Sequence, residues 1–136
     1  MTVPSIDEVC TALADVVATV DGLRAKGFPD DQVNPPEAHV LTQPFDPRLV
    51  FDSTKSAYQL GVRVIVPRTN LRTAYEQLRK FMDADGSTSI RAAIEDEDNW
   101  AQTIDYAVVT NISQPFELEL AGTVYMAVGF DVEVCW

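Results

Sequence analysis

Gly122-Thr123-Val124-Tyr125-Met126-Ala127-Val128-Gly129-Phe130-Asp131-Val132-Glu133-Val134-Cys135-Trp136 is the stretch whose reading decides the fold. Val124, Met126, Val128, Phe130, Val132, Val134 and Trp136 occupy every second position. The residues between them become more polar toward the end, closing with Asp131, Glu133 and Cys135. Side chains alternate faces along a strand, so one face is wholly apolar and other elements must cover it. Fully extended, the stretch would reach about 50 Å, whereas a typical strand has roughly six residues. Gly129 is therefore expected to be a bend or bulge, because glycine tolerates a sharper twist. A strand this long is expected to be central in its sheet or shared with a neighbour.

Upstream, Ser5-Ile6-Asp7-Glu8 has the form of a capping box. Ile6, Val9, Leu13, Val16, Val17 and Val20 then follow at spacings of three and four, which predicts an amphipathic helix closed by Asp21-Gly22. Leu23 to Pro36, with Gly27, Pro29, Pro35, Pro36, Asp30 and Asn34, reads as an ordered surface loop. A short strand is predicted at Ala38–Thr42 and a second across Leu60, Val62, Val64 and Val66, ended by Pro67. The long connection between them carries Phe45, Leu49, Val50 and Phe51. A connection with that apolar content either folds back over the core or is presented to a partner.

Thr69 or Asn70 can cap a helix whose apolar stripe is Leu71, Ala74, Tyr75, Leu78, Phe81 and Met82, ended by Asp85-Gly86. Ser87-Thr88-Ser89 offers caps for a short helix through Ile90, Ala93 and Ile94. Tyr106, Val108, Thr110 and Ile112 alternate as a third strand, and Phe116–Leu120 leads into the last one. The order predicts an α+β domain spanning 1–136, with a mainly antiparallel or mixed four-stranded sheet, helices on one side and a long C-terminal strand.

The net charge of −11 argues against nucleic acid as a bound partner, since phosphate attachment needs clustered Lys and Arg. No apolar run approaches the roughly 20 residues of a membrane span, and no signal peptide is visible, so the protein is expected to stay in a cytosol. Cys10 and Cys135 are expected as buried thiols, because two cysteines define no disulfide scaffold.

His39 stands without a Cys, His or carboxylate cluster around it, which favours a structural role. Glu95-Asp96-Glu97-Asp98 lacks the turn glycine of a calcium loop and reads as a solvated turn. Phosphate-loop and dinucleotide glycine patterns are absent. No catalytic constellation, cofactor site or metal site is assigned. Arg72, Arg79 and Lys80 form a basic patch, either a solvated outer face or a contact for an acidic neighbouring subunit.

The order of these motifs resembles the tail terminator proteins of long-tailed, non-contractile bacteriophages. The features are the helix closing at Gly22-Leu23-Arg24, the Pro35-Pro36-Glu37-Ala38 entry to a strand and the helix from Leu71 to Met82. They continue with Gly86-Ser87-Thr88-Ser89-Ile90-Arg91-Ala92-Ala93-Ile94-Glu95, then Asn99-Trp100-Ala101 and the closing strands. The resemblance covers essentially the whole chain. Where members often carry a leucine-glycine-glycine turn, this chain has Trp100-Ala101-Gln102.

The resemblance implies a structural protein of the virion and not an enzyme. Members cap the head-proximal end of the tail tube as a hexameric ring, stop its growth and offer a docking surface to the head connector. The implied partners are copies of the chain itself, the tail tube protein and the head–tail connector protein, with DNA passing through the lumen without specific binding and no membrane involved. Phe45, Leu49 and Phe51 are the interface candidates in the connecting segment, with Arg72 and Arg79 as inter-subunit ion-pair donors. The alternatives are another neck or head-completion ring protein or, in a different class, a small enzyme or ligand-binding domain.

Overall fold

Short-range capping starts each helix. The computed structural model describes residues 5–30, 32–43, 57–100 and 106–135. Helix α1 (Ile6–Val17) begins where Ser5 Oγ accepts the Glu8 amide at 3.1 Å. Asp7 and Glu8 occupy its first turn, where the helix dipole favours negative charge. The helix stops at Val17, before the expected end, and turns carry the chain to Gly22 at φ +78°. Helix α2 (Leu71–Phe81) is capped by the Asn70 side chain on the Thr73 amide. Helix α3 (Ile90–Glu95) is capped by Ser89 on the Ala92 amide and leads into a single 3₁₀ turn, Glu97–Asn99. Behind that turn the buried Trp100 donates its indole N–H to the Ile94 carbonyl at 2.9 Å.

Among the described residues the sheet has six strands: β1 (Arg24–Lys26), β2 (Glu37–Thr42), β3 (Ala57–Pro67), β4 (Tyr106–Ile112), β5 (Phe116–Leu120) and β6 (Thr123–Cys135). Its order is β1-β2-β3-β6-β4, with β5 also paired to β6. β1 runs parallel to β2 and every other pairing is antiparallel. The architecture is α+β, with the long C-terminal strand inside the sheet, as its alternation predicts.

Three details depart from the sequence expectation. The predicted loop after Gly22 contains β1, which is three residues long and too short to show periodicity. The strands number six, because Ala121 (φ +50°) and Gly122 (φ +83°) fold the final segment into a β5–β6 hairpin. Two successive positive φ values form the type I′ turn that matches strand twist. Gly129 is not a bulge: it pairs with Arg63 inside an uninterrupted ladder from Ala57↔Cys135 to Pro67↔Tyr125. The irregularity lies instead on β4, between Val109 and Asn111.

On the other side of β6, Gly129 marks the handover from β4 to β5. Its amide donates to Ser113 Oγ, its carbonyl accepts the Ser113 amide, and both bonds measure 2.8 Å. Leu60, Val62, Val64, Val66, Met126, Val128, Phe130, Val132 and Val134 share one sheet face. They form one apolar cluster with the buried residues of all three helices, so the helices cover this face together. The opposite face also withdraws residues from water, namely Glu37, His39, Ile65, Ala127 and Cys135. Cys10 and Cys135 are both buried and neither forms a disulfide.

Candidate functional site

Three places on this scaffold concentrate polar or apolar groups. The first lies where β1 joins β2. Residues two apart on a strand share a face, so Glu37 and His39 point the same way. Both are buried, and His39 Nε2 lies 3.1 Å from Glu37 Oε2. The Asp30 amide donates to His39 Nδ1 at 3.4 Å, so the ring proton sits on Nε2 and is donated to the carboxylate. Lys26 Nζ reaches the other Glu37 oxygen at 3.3 Å and Asp30 Oδ2 at 2.8 Å.

Lys26 is held above its ordinary range, chiefly by its hydrogen bond to Asp30. The same bond, with the Gln32 amide, holds Asp30 below the usual carboxylate range. His39 is thus not isolated, contrary to the sequence reading. Starting the strand at Ala38 left Glu37 outside it and hid the pairing. What the cluster does chemically is tie the β1 edge and the following loop to β2.

The second place is Arg63, directly between His39 on β2 and Gly129 on β6. It is half-buried, and its Nε finds no hydrogen-bond partner. Burial pulls its pKa down, because the charged form is partly removed from water. Arg63 shares its strand face with Gly61 and Ile65, and its guanidinium has no ion-pair partner among the described residues.

The third place is the arm formed by β5 and the start of β6. β3 ends opposite Tyr125, so Thr123 and Val124 extend past it. Phe116 and Val124 are 38% and 41% exposed, and Leu118, Leu120 and Tyr125 are only half-buried. Glu117 and Glu119 are exposed on the same arm, Glu117 meeting Arg68 at 2.8 Å. Across the sheet, the β1 edge carries the exposed Arg24 and is followed by Phe28, 60% exposed. Beside Phe28 lies an open apolar hollow of about 410 Å³ lined by Ile6, Cys10, Pro29, Val40 and Leu41 among others.

Of the residues singled out from sequence, Phe45, Leu49 and Phe51 lie outside the described residues. Arg72 and Arg79 sit on the exposed face of α2. Arg72 Nε is 3.2 Å from Glu76 one turn away, and the Arg79 guanidinium lies 5.8 Å from the centre of the Tyr75 ring. Both are therefore engaged within their own helix, and neither meets any of the three places. Two side chains of the acidic run serve local structure, and Glu97 and Asp98 are exposed. Glu95 pairs with Arg91 and accepts the Val109 amide, while Asp96 caps the 3₁₀ turn.

Among the described residues, no three His, Cys, Asp or Glu side chains converge on a metal position. No described helix is long and apolar enough to cross a membrane. Comparison with protein-family models finds no match, and neither does comparison with curated proteins.

Proposed function

We propose that this chain is a ring-forming structural protein of a long-tailed bacteriophage, a tail terminator that caps the head-proximal end of the tail tube. The observation that carries the reading is the open sheet. β1 is an outer strand at one edge, and β5, beside β4, forms the other with an apolar arm exposed. Open edges invite pairing with another chain, and a contact between two different edges closes into a ring. The motif order from Ser5 to Trp136 supplies the family, and the ring is then hexameric. One ring face meets the tube protein and the other meets the head connector. The high acid content would let DNA slide through without sticking.

Mass photometry with negative-stain imaging of the concentrated protein is the first experiment, and six-fold rings with an open centre are expected. Deleting the gene from its phage should give overlong or headless tails, whereas tails of normal length carrying heads would refute the assignment. A neck or head-completion ring is the second reading, because the same open edges suit it. It predicts tails of normal length that fail to join heads.

A further inference from the structure

We infer that the outer edge of β2 at residues 40–42 takes up an extended, basic segment of a different protein as an added strand, with an apolar side chain of that segment seated in the hollow beside Phe28. This goes beyond the ring reading and does not depend on it.

The edge is open because β1 is short. β1 ends at Lys26, opposite His39, while β2 runs three residues further to Thr42. In an antiparallel ladder, opposite residues alternate between pairs that exchange both backbone bonds and pairs that exchange none. The Gln43 amide donates to the Gln59 carbonyl at 3.1 Å, so Leu41 also bonds toward β3, and Val40 and Thr42 turn their backbone groups outward. The Arg24 amide, donating to the Pro36 carbonyl at 3.3 Å, fits the same alternation from the β1 side. No backbone group among the described residues reaches the Val40 carbonyl or the Thr42 amide across that edge. An open edge of this kind holds an extended chain through main-chain bonds.

The hollow supplies the choice of side chain. Val40 lies opposite Val62 and Thr42 opposite Leu60, on the sheet face that the helices cover. A residue added beside Val40 or Thr42 shares that face. The hollow of about 410 Å³ opens there, lined by Ile6 and Cys10 of α1 and by Phe28 and Pro29. Charge then selects the partner. Asp7 lines the hollow and Glu8 is exposed next to it, and neither has an ion-pair partner among the described residues. Lys26, at the end of β1, is already held by Asp30 and Glu37. The rim is therefore acidic on a chain of net charge −11, which disfavours a second copy and favours a segment carrying Lys or Arg.

The test selects peptides that bind the full chain from a random mRNA-display library and titrates the enriched ones into ¹⁵N-labelled protein. Enriched peptides should carry a bulky apolar residue among β-branched neighbours, with Lys or Arg nearby, and should protect the Thr42 amide from hydrogen exchange. N-methylation at one set of alternate peptide residues should weaken binding by roughly tenfold or more, because those nitrogens can no longer donate to β2. The other set, whose amides face away, should be tolerated far better. Asp7→Asn, at an exposed position and checked for unchanged melting, should weaken the basic peptides by about threefold.

No enrichment, enrichment without this pattern, or peptides that shift amides away from residues 40–42 overturn the inference. Equal tolerance of the two methylated sets, or an Asp7→Asn protein that binds like wild type, does the same. So does protection of the Thr42 amide that grows with the concentration of the protein alone, because a second copy then holds the edge.

Discussion

The two ends of β6 are one strand by sequence pattern and two environments by structure. From Phe130 to Cys135 the strand lies between β3 and β4, and its alternate side chains join the core under the helices. From Thr123 to Tyr125 it is half of a hairpin, and the same alternation leaves Val124 in water. Periodicity reports which side chains share a face. It does not report what lies over that face, because cover is supplied by elements distant in sequence. An apolar position that the fold leaves bare is thus a place to look for a partner.

The contrast is broken most forcefully in the core half. Phe130→Ala should cost about 3–5 kcal/mol in urea unfolding, because it empties a fully buried aromatic site. Val124→Ser, on the same face of the same strand, should stay within about 1 kcal/mol. Equal losses at the two sites would mean that the arm is covered within the monomer.

Glu37→Gln probes the far edge of the sheet. It keeps the shape but removes the charge facing Lys26 and His39, and should cost roughly 1–3 kcal/mol by the same measurement. Ala121→Asn sharpens the arm itself. Alanine is held at φ +50°, where asparagine is better tolerated, so the variant should gain up to about 1 kcal/mol and slow hydrogen exchange in β5.

The smallest effect concerns pH. Asp30 is held low by Lys26, so its contribution is present above the ordinary carboxylate value and fades as pH falls through the lowered one. Lys26 is held high, so its contribution is present below the ordinary lysine value and fades as pH rises through the raised one. Both side chains are about one-third exposed, so water screens the pair and the change should be slight. Asp30→Asn should flatten the acid limb without altering exchange in the arm.

What could be read from sequence was local. Ser5, Asn70 and Ser89 cap their helices through bonds spanning three residues, and such bonds need no knowledge of the rest of the chain. The long strand declared itself by alternation over its whole length. β1 did not, because three residues contain no period and their parallel pairing depends on β2, which lies beyond a loop. The break at Ala121 was hidden because alanine is a poor turn signal, although Gly122 follows it.

Gly129 misled in the other direction. Glycine permits a bulge without requiring one, and here an added Cβ would meet Ser113 Oγ at an ordinary contact distance of 3.5 Å. Of the candidate site, the apolar positions of the arm were visible but not their exposure. Glu37 and His39 were visible only as separate residues, since their meeting depends on where the strand begins.

The placement of β6 also has a mechanical consequence. It is hydrogen-bonded on both sides along most of its length, to β3 on one flank and to β4 and β5 on the other. A load applied along the strand must shear both ladders at once, so force is shared over many bonds before any one yields. A load applied across the sheet opens the outer ladder one bond at a time. Forced unfolding follows the barrier to the first rupture and not the overall equilibrium stability. The molecule is therefore stiff along its strands and weak across them, and the direction of a pull would decide how long it holds.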